Sequence, residues 1–201
     1  MSYKLRDTYY KKAKHQGYRS RAAYKLLELQ ERFRIFKTGQ FVVDLGAAPG
    51  GWIQVAAKLV GPSGKVIGVD LQPIEPFHHK NIIVTQADIT ASETEQRIME
   101  YLGRPADSVI SDLAPKLTGI RDTDEARSLE LNHTALEAAK RLLRAGGSFL
   151  IKSFVSEELR NFSAELEQQF GSVQRTRPDA SRKGSSEIYF VAKDYQLKAQ
   201  G

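Results

Sequence analysis

Hydrophobic and polar positions along the chain repeat with two periods, one of about two residues and one of about 3.6 residues. Short apolar runs predict strands, and they read FVVDLG, KVIGVDL, NIIVTQAD, ADSVISDLA, SFLIKSF and SSEIYFVAK. Longer stretches with apolar residues three and four apart predict helices, and they read SRAAYKLLELQERFRIF, GGWIQVAAKLV, ETEQRIMEYL, DEARSLELNHTALEAAKRLLRAGG and SEELRNFSAELEQQF. The two kinds of segment alternate, which predicts an α/β fold with a parallel, doubly wound sheet.

Cap residues indicate where these helices begin and end. Ser20 is the predicted N-cap of the helix over 20–36, and the long fourth helix is expected to end near Gly146 or Gly147. In a sheet of this kind, ligands bind at the carboxyl ends of the strands. The residues that follow each strand are therefore the first candidates for chemistry.

The chain length of 201 residues fits one domain. We expect this domain to span residues 20–195, after a basic N-terminal arm (1–19) and before a short tail (196–201). No apolar run approaches the ~20 residues of a membrane span, and the N-terminus lacks the apolar segment of a secretory signal. We expect a cytoplasmic protein with no membrane partner, and a monomer, because no segment resembles a dimerisation seam.

The residue types available limit the chemistry. The chain has no cysteine, which excludes disulfides, thiol nucleophiles and cysteine-bound zinc. Its four histidines are scattered without metal-ligand spacing, so no metal site is expected. Catalysis must use other groups.

Positive charge is concentrated at the N-terminus. The net charge is +6 overall, but residues 1–37 contain eleven Lys or Arg against three acids, a net +8, so the remaining residues sum to −2. Tyr3, Tyr9, Tyr10 and Tyr18 are interspersed among these cations. The pattern favours a surface for a polyanion, with cations on phosphates and aromatic rings for stacking; the alternative is a solvated, partly disordered arm.

The most specific motif is VVDLGAAPGGW at 42–52. A strand leads into a turn in which Gly46, Gly50 and Gly51 allow the backbone to approach a ligand closely before a helix begins. The spacing differs from the G-x-G-x-x-G of dinucleotide-binding folds, and Pro49 removes one backbone donor from the loop. A ligand without phosphates, such as S-adenosylmethionine, suits this loop better.

Aspartates stand at predicted strand ends, and the first of them is Asp44, in the strand before the glycine loop. Asp70 is placed to accept hydrogen bonds from ribose hydroxyls, Asp88 to contact an adenine edge, and Asp112 to face the same crevice. One aspartate at a strand end is more often a turn or cap residue. Three of them beside a glycine loop favour a ligand site.

Two lysines stand in or beside apolar surroundings. Lys152 lies inside the strand of GGSFLIKSF, although lysine is seldom fully buried without a partner. Lys25 lies at the edge of the apolar stripe of the first helix, and Glu187 shares one face of the last strand with Tyr189 and Val191. The structural alternative is that Lys25 extends along its helix to solvent, while Lys152 is a paired lysine that closes the sheet end.

Five segments together resemble one known family. YRSRAAYKLLEL, VVDLGAAPGGW, VISDLAP, GGSFLIKSF and RKGSSEIYFVA are similar, in order and over nearly the whole chain, to the FtsJ/RrmJ family of ribosomal RNA 2′-O-ribose methyltransferases. The resemblance implies a Rossmann-like methyltransferase fold, with a mostly parallel seven-stranded sheet and helices on both faces. It implies a catalytic tetrad at Lys25, Asp112, Lys152 and Glu187, with Lys152 as the proton acceptor.

The same resemblance implies a cofactor and a substrate. S-adenosylmethionine is expected to be held by Gly46, Ala47, Pro49, Gly50, Gly51, Trp52, Asp70, Asp88 and Asp112. The expected substrate is a nucleotide, uridine by preference, of large-subunit ribosomal RNA in the assembled subunit; a tRNA methyltransferase of the same family is the alternative. The expected RNA contacts are basic residues of the arm and of the loop before the last strand, Lys11, Lys12, Lys14, Arg19, Arg21, Arg182 and Lys183.

Alternatives from other classes explain less. A methyltransferase for proteins or small molecules leaves both lysines and the basic arm without a purpose, and a silent RNA-binding or ribosome-assembly protein needs neither Lys152 nor Glu187. Two roles for Lys152 stay open, because a free lysine is mostly protonated at neutral pH. Lys152 is either a neutral general base or a protonated group that positions and stabilises the reacting oxygen.

Overall fold

The computed structural model describes residues 5–116, 118–181 and 184–197. The helices in these ranges are α1 (Leu5–His15), α2 (Ala22–Phe33), α3 (Gly51–Val60), α4 (Ser92–Leu102), α5 (Arg121–Leu142) and α6 (Leu159–Gln169). The strands are β1 (Phe41–Leu45), β2 (Lys65–Asp70), β3 (Ile82–Gln86), β4 (Ala106–Ser111), β5 (Leu143–Phe154), β6 (Phe170–Thr176) and β7 (Glu187–Tyr195). None of the helices in the described ranges combines the length and apolar composition that a membrane crossing requires.

The strands form one seven-stranded sheet in the order β3-β2-β1-β4-β5-β7-β6. Strands β1 to β5 pair in parallel, and β7 runs antiparallel between β5 and β6. The predicted doubly wound, mostly parallel sheet is confirmed. Because β7 runs in the opposite direction, its first residues lie at the same edge as the last residues of β1, β4 and β5.

Strand β6 has no clear signal in the hydrophobic pattern. Its sequence FGSVQRT is mostly polar, and only its first and last residues, Phe170 and Thr176, are buried. The strand lies at the edge of the sheet and pairs with β7 alone. An edge strand leaves more of its surface to solvent, so the apolar alternation that marks the other strands is weak here.

Helices cover both faces of the sheet, as predicted. Helices α2 and α3 pack on one face, where the buried residues include Leu26, Leu29, Trp52, Ile53, Leu150, Tyr189 and Val191. Helices α4, α5 and α6 pack on the other, where the buried residues include Ile98, Leu136, Phe149, Phe162, Leu166, Ile188 and Phe190. The division of β7 between these clusters confirms the predicted alternation of its side chains.

Helix α2 is shorter than predicted. It begins at Ala22, and the cap position is occupied by Arg21 without a side-chain cap hydrogen bond, so the prediction that Ser20 is the N-cap is wrong. It ends at Phe33, before the predicted end at 36, because Arg34 adopts the left-handed conformation with φ 49°. The apolar stripe continues past Phe33 only because the following loop also enters the core.

Helix α5 also ends earlier than predicted. It stops at Leu142, and β5 starts at once with Leu143, which pairs with Ala106. Gly146 and Gly147 therefore lie inside the strand, and the prediction that one of them caps the helix is wrong. Buried Leu142 and Leu143 extended the helical pattern, since an apolar pair fits the end of a helix as well as the start of a strand.

The predicted N-terminal arm contains helix α1, which packs on α2. Ala13 is buried, and the ring of Tyr24 lies 5.4 Å from that of Tyr9 and 5.8 Å from that of Tyr18. Tyr10 is 61% exposed. Two of the tyrosines expected to stack on bases therefore contact the protein itself, while Tyr10 is open to solvent.

Candidate active site

One edge of the sheet brings together the four residues of the predicted tetrad. Asp112 directly follows β4, Lys152 lies near the end of β5, and Glu187 is the first residue of β7. The register pairs Lys152 with Tyr189 and places Glu187 opposite the last residue of β5. Lys25 approaches from α2, which packs over this end of the sheet.

The four side chains form two ion pairs. Lys152 Nζ lies 2.8 Å from Asp112 Oδ1 and donates a hydrogen bond of 2.8 Å to the Asp112 backbone oxygen. Lys25 Nζ lies 2.6 Å from Glu187 Oε2. Both lysines are buried, with 6% of Lys152 and 7% of Lys25 exposed. Each cation thus has a carboxylate partner, and the solvent-extended alternative for Lys25 does not fit its burial.

Tyr189 lies among these pairs, and the sequence analysis gave it no role at the site. Lys25 Nζ stands 5.7 Å from the centroid of its ring. The Tyr189 hydroxyl is buried and makes no hydrogen bond within the described residues. Burial raises the pKa of Tyr189 well above its ordinary value, and the charges of Asp112 and Glu187 add to the shift. The hydroxyl is therefore a neutral, buried polar group without a partner among the described residues.

The glycine loop is fixed to the neighbouring strand by backbone hydrogen bonds. Gly46 and Ala47 both donate to the Val69 carbonyl, at 2.9 and 3.1 Å. Ala48 N donates to Asp70 Oδ2 at 2.9 Å, so the carboxylate holds the loop from the end of β2. Gly46 has φ 77°, and a Cβ there would come within 2.6 Å of the Leu113 side chain. The loop therefore needs glycine at this position, both for its backbone angle and for space.

The sequence analysis placed Asp44 before the glycine loop but did not include it among the site residues. It lies in β1 just before the glycine loop, is fully buried, and neither carboxylate oxygen has a hydrogen-bond partner within the described residues. Burial raises the pKa of Asp44 well above its ordinary value, with smaller contributions from Asp112 and Asp70. Its position inside an apolar strand was the available signal, because a buried carboxylate without partners is costly.

The other predicted cofactor residues differ in what they offer. Asp88 is exposed, and hydrogen bonds from the Thr90 backbone and hydroxyl lower its pKa, so it is ionised. The Trp52 indole is buried and donates a hydrogen bond of 2.9 Å to the Ala22 carbonyl. The indole is thus used to pack α3 on α2, which leaves the backbone of Trp52 for contact with a cofactor.

Four aspartates stand at or just beyond the carboxyl ends of β1, β2, β3 and β4, and they are Asp44, Asp70, Asp88 and Asp112. The ionised carboxylates among them repel the pyrophosphate of a dinucleotide and attract a cation. S-adenosylmethionine carries a sulfonium, an ammonium and two ribose hydroxyls, all of which suit acceptor groups. The residues present therefore fit this cofactor. Across the described residues no three His, Asp or Glu side chains form a group suited to a metal ion.

The predicted RNA contacts fall into three groups. Lys11, Lys12 and Lys14 lie exposed on α1. Arg21 Nη2 donates a hydrogen bond of 2.9 Å to the Ala180 carbonyl, which holds the segment after β6 against α2. The guanidinium of Arg19 is likewise bonded to backbone carbonyls. Arg182 and Lys183 lie outside the described residues.

A cavity of about 510 Å³ lies elsewhere, beside helix α3. Its lining includes Gln16, Gln54, Lys58, Phe77 and His79, and none of the tetrad residues. This cavity is therefore separate from the two ion pairs. The open edge of the sheet, where the two ion pairs lie, is the candidate active site.

Comparison with known proteins supports a methyltransferase site at this edge of the sheet. The sequence profile of the FtsJ-like methyltransferase family matches residues 18–195. The chain is 52% identical over 188 residues to "Ribosomal RNA large subunit methyltransferase E" of Methanothrix thermoacetophila, covering 94% of this chain and 72% of the relative. It is 44% identical to the protein of the same name in Methanobrevibacter smithii, covering 97% of this chain and 93% of the relative.

Solved structures show the same fold. A Plasmodium falciparum protein assigned as a ribosomal RNA methyltransferase has a TM-score of 0.80 and 27% identity, over 90% of this chain and all of that one. A second, from Clostridium thermocellum, has a TM-score of 0.57 and 21% identity, over 84% of this chain and 96% of that one. The second likeness supports the fold alone.

Proposed function

This chain belongs to the FtsJ-like methyltransferase family, and on that premise we propose that it methylates a ribose 2′-hydroxyl of large-subunit ribosomal RNA with S-adenosylmethionine. The observation that carries the proposal is the buried pair of lysines, Lys25 and Lys152, each held by a carboxylate beside the glycine loop. The names of the relatives support ribosomal RNA as the substrate. The proposal places the enzyme in the cytoplasm, acting as a monomer.

S-adenosylmethionine, when bound, supplies a methyl group already activated by a positive sulfur. The residues that would hold it are those of the loop from Gly46 to Trp52, together with Asp70, Asp88 and Asp112. Asp70 has both carboxylate oxygens engaged by backbone N–H groups of the protein, from Ala48 and Gln72. These bonds fix its orientation and leave further lone pairs for hydroxyl donors.

The chain's own groups align the hydroxyl and handle its proton. Lys152 is fixed by two contacts to Asp112, so its amine has a defined position beside the cofactor loop. Alignment of reacting groups contributes to the rate because the entropy of bringing them together is already lost. Lys25 and Glu187 lie next to Lys152 along the same edge and are placed to orient the substrate ribose.

Two roles for Lys152 are consistent with this geometry. A neutral amine would take the proton of the 2′-hydroxyl as its oxygen attacks the methyl group. A protonated amine would instead donate a hydrogen bond to the oxygen and stabilise the negative charge that develops on it as the hydroxyl proton passes to water. The pH dependence of the single-turnover rate separates them. A rate that rises with pH supports the base, and a flat profile supports the positioning role.

The basic residues near the site support RNA as the substrate. Lys11, Lys12 and Lys14 are exposed on α1, and phosphate contacts from such residues position RNA without reading its sequence. The 2′-hydroxyl distinguishes RNA from DNA. An enzyme that reacts with this group is therefore specific for RNA by its chemistry.

The test is transfer of labelled methyl from S-adenosylmethionine to purified large ribosomal subunits, naked ribosomal RNA and bulk tRNA. We expect label on large-subunit RNA, and we expect a nuclease digest to yield a 2′-O-methylated nucleoside. Label on tRNA alone would keep the chemistry and overturn the substrate. No label on any RNA from a preparation that binds the cofactor would overturn the proposed function.

A further inference from the structure

The side chain of Arg19 joins two loops that flank the cofactor site. Its Nη1 donates to the Pro49 carbonyl at 3.3 Å and to the Glu75 carbonyl at 2.5 Å, and its Nη2 donates to the Pro76 carbonyl at 2.8 Å. Its guanidinium carbon lies 3.6 Å from the centroid of the Phe77 ring. One side chain thus holds the glycine loop and the segment that follows Asp70.

Space around this contact is filled. A Cβ built on Gly50, which has φ 108°, would lie 2.6 Å from the Phe77 ring and 3.2 Å from Arg19 Nη1. The backbone at Gly50, the guanidinium and the ring of Phe77 are therefore stacked without room for another side chain. A shift of any one of them moves the other two.

The backbone of Arg19 is itself fixed. Its N–H donates to Gln54 Oε1 at 2.7 Å, and Gln54 Nε2 donates to the Gly17 carbonyl at 2.8 Å. Gln54 lies in the first turns of α3, the helix that begins where the glycine loop ends. The arginine is thus anchored on the element that follows the loop and reaches across to hold it.

From these contacts we propose that Arg19 is a positioning residue for S-adenosylmethionine, which holds the two loops in the shape that binds the cofactor. This inference rests on the proposed function and goes beyond the residues that contact the cofactor. Guanidinium presents five N–H donors in a rigid planar arrangement and stacks on aromatic rings, and lysine does neither. Three of these five donors and one face of the guanidinium are engaged within the protein.

The test compares Arg19→Ala, Arg19→Lys and Lys14→Ala with the wild type. Lys14→Ala is the matched control, because it removes the same charge from the basic N-terminal segment, from an exposed position on α1. Calorimetry gives the Kd of S-adenosylhomocysteine, and steady-state kinetics with saturating RNA give kcat and the KM of S-adenosylmethionine. Filter binding at several salt concentrations gives the Kd of RNA.

We expect Arg19→Ala to raise the Kd of S-adenosylhomocysteine and the KM of S-adenosylmethionine about tenfold or more, because the ligand must then order two loops that Arg19 holds in the wild type. We expect kcat at saturating cofactor to stay within about threefold of the wild type, which a general loss of folded enzyme would not allow. Arg19→Lys should restore only part of the affinity. Phe77→Leu should weaken cofactor binding in the same direction and by less.

An unchanged Kd of S-adenosylhomocysteine in Arg19→Ala, with weaker RNA binding and a shallower salt dependence, would overturn the inference and return Arg19 to a phosphate contact. A fall in kcat with unchanged KM would overturn it as well. Failure of the wild type itself to bind S-adenosylhomocysteine would instead overturn the proposed function. The two failures are therefore distinguished in one set of measurements.

Discussion

Two buried aspartates on neighbouring strands have opposite surroundings. Asp107, near the start of β4, accepts hydrogen bonds from Arg104 at 2.7 Å, Arg144 at 2.6 Å and the Phe41 backbone at 2.8 Å. Asp44, near the end of β1, is fully buried and has no hydrogen-bond partner within the described residues. One carboxylate is satisfied by the protein, and the other is not.

The pKa values of the two groups move in opposite directions for this reason. Burial raises the pKa of Asp107, but hydrogen bonds from Arg104, Arg144 and Phe41 outweigh it, so the net pKa lies below its ordinary value. Burial raises the pKa of Asp44 well above its ordinary value, and no hydrogen bond opposes the effect. Burial alone therefore does not mark a functional carboxylate, whereas burial without partners does.

The comparison extends to the two ends of the sheet. At the end near Phe41, the carboxylate of Asp107 is satisfied by its hydrogen bonds and serves stability. The end at Asp44 has a carboxylate and the Tyr189 hydroxyl that find no partner within the described residues. Buried polar groups of native proteins are nearly all paired. We expect changes at the first end to affect folding and changes at the second to affect binding and catalysis.

The largest effect is expected for Lys152→Ala, at the end of the sheet that contains the candidate active site. We expect the single-turnover rate of methyl transfer to fall by about 10²–10⁴-fold, the usual contribution of a positioned acid or base. The Kd of S-adenosylhomocysteine should stay within a few-fold, because the change leaves the glycine loop intact. A variant that keeps a tenth or more of the rate would show that Lys152 only closes the end of the sheet.

For Asp107→Ala, at the other end of the sheet, we expect a loss of stability and no loss of catalytic rate. Loss of a buried carboxylate with two arginine partners costs about 3–5 kcal/mol when all groups are buried. Since both arginines are partly exposed, we expect about 2 kcal/mol less free energy of unfolding in urea titrations, with kcat unchanged. The wild-type contribution should be present above pH 4 and lost as pH falls through the lowered pKa of Asp107. A variant with wild-type stability and reduced kcat would reverse the comparison.

Asp44→Asn tests the unpaired carboxylate through pH. The pKa of Asp44 is raised in the folded state, so above about pH 4 the unfolded chain releases this proton first and the wild type loses stability as pH rises. Asparagine does not titrate. We expect the stability of the variant relative to the wild type to grow by about 1 kcal/mol per pH unit within that window, and then to level off.

Thermal unfolding of both proteins between pH 5 and 8.5 measures this difference. Other titrating groups are common to both chains and largely cancel in the comparison. We also expect weaker binding of S-adenosylhomocysteine by Asp44→Asn. Parallel pH curves for the two proteins would show that the pKa of Asp44 is ordinary. Its carboxylate would then have a hydrogen-bond partner when the protein is in solution.

The smallest effect is expected for Lys14→Ala, which lies outside both ends of the sheet. One phosphate contact fewer should reduce the slope of log Kd for RNA against log salt by about 0.7–0.9. Methyl transfer at saturating RNA and the unfolding temperature should match the wild type. A slope equal to that of the wild type would mean that RNA does not contact this side of α1.

Much of the fold and the tetrad was predictable from the sequence. Short apolar runs between glycine and aspartate placed most strands, and Asp70 and Asp112 followed from strand ends. Lys152 was identified because a lysine among the apolar residues of a strand is seldom buried without a partner or a function. These signals are local, and each is contained in a few consecutive residues.

The features that were missed depend on contacts between distant residues. Strand β6 is an exposed edge with little apolar pattern. The unpaired state of Asp44 and of the Tyr189 hydroxyl is a statement about what surrounds them. Arg19 was taken for an RNA contact because a sequence shows its charge, whereas the three carbonyls that it holds lie 30 or more residues away.

The most direct test of the account is a crystal structure with S-adenosylhomocysteine bound. We expect the ligand at the carboxyl edge of the sheet, against the loop from Gly46 to Trp52 and Asp70, with its sulfur turned toward Lys152. The unpaired groups of that edge should then acquire partners from the ligand or from water ordered by it. A ligand seated instead in the cavity beside Gln54 and His79, which none of the tetrad residues lines, would contradict the central claim.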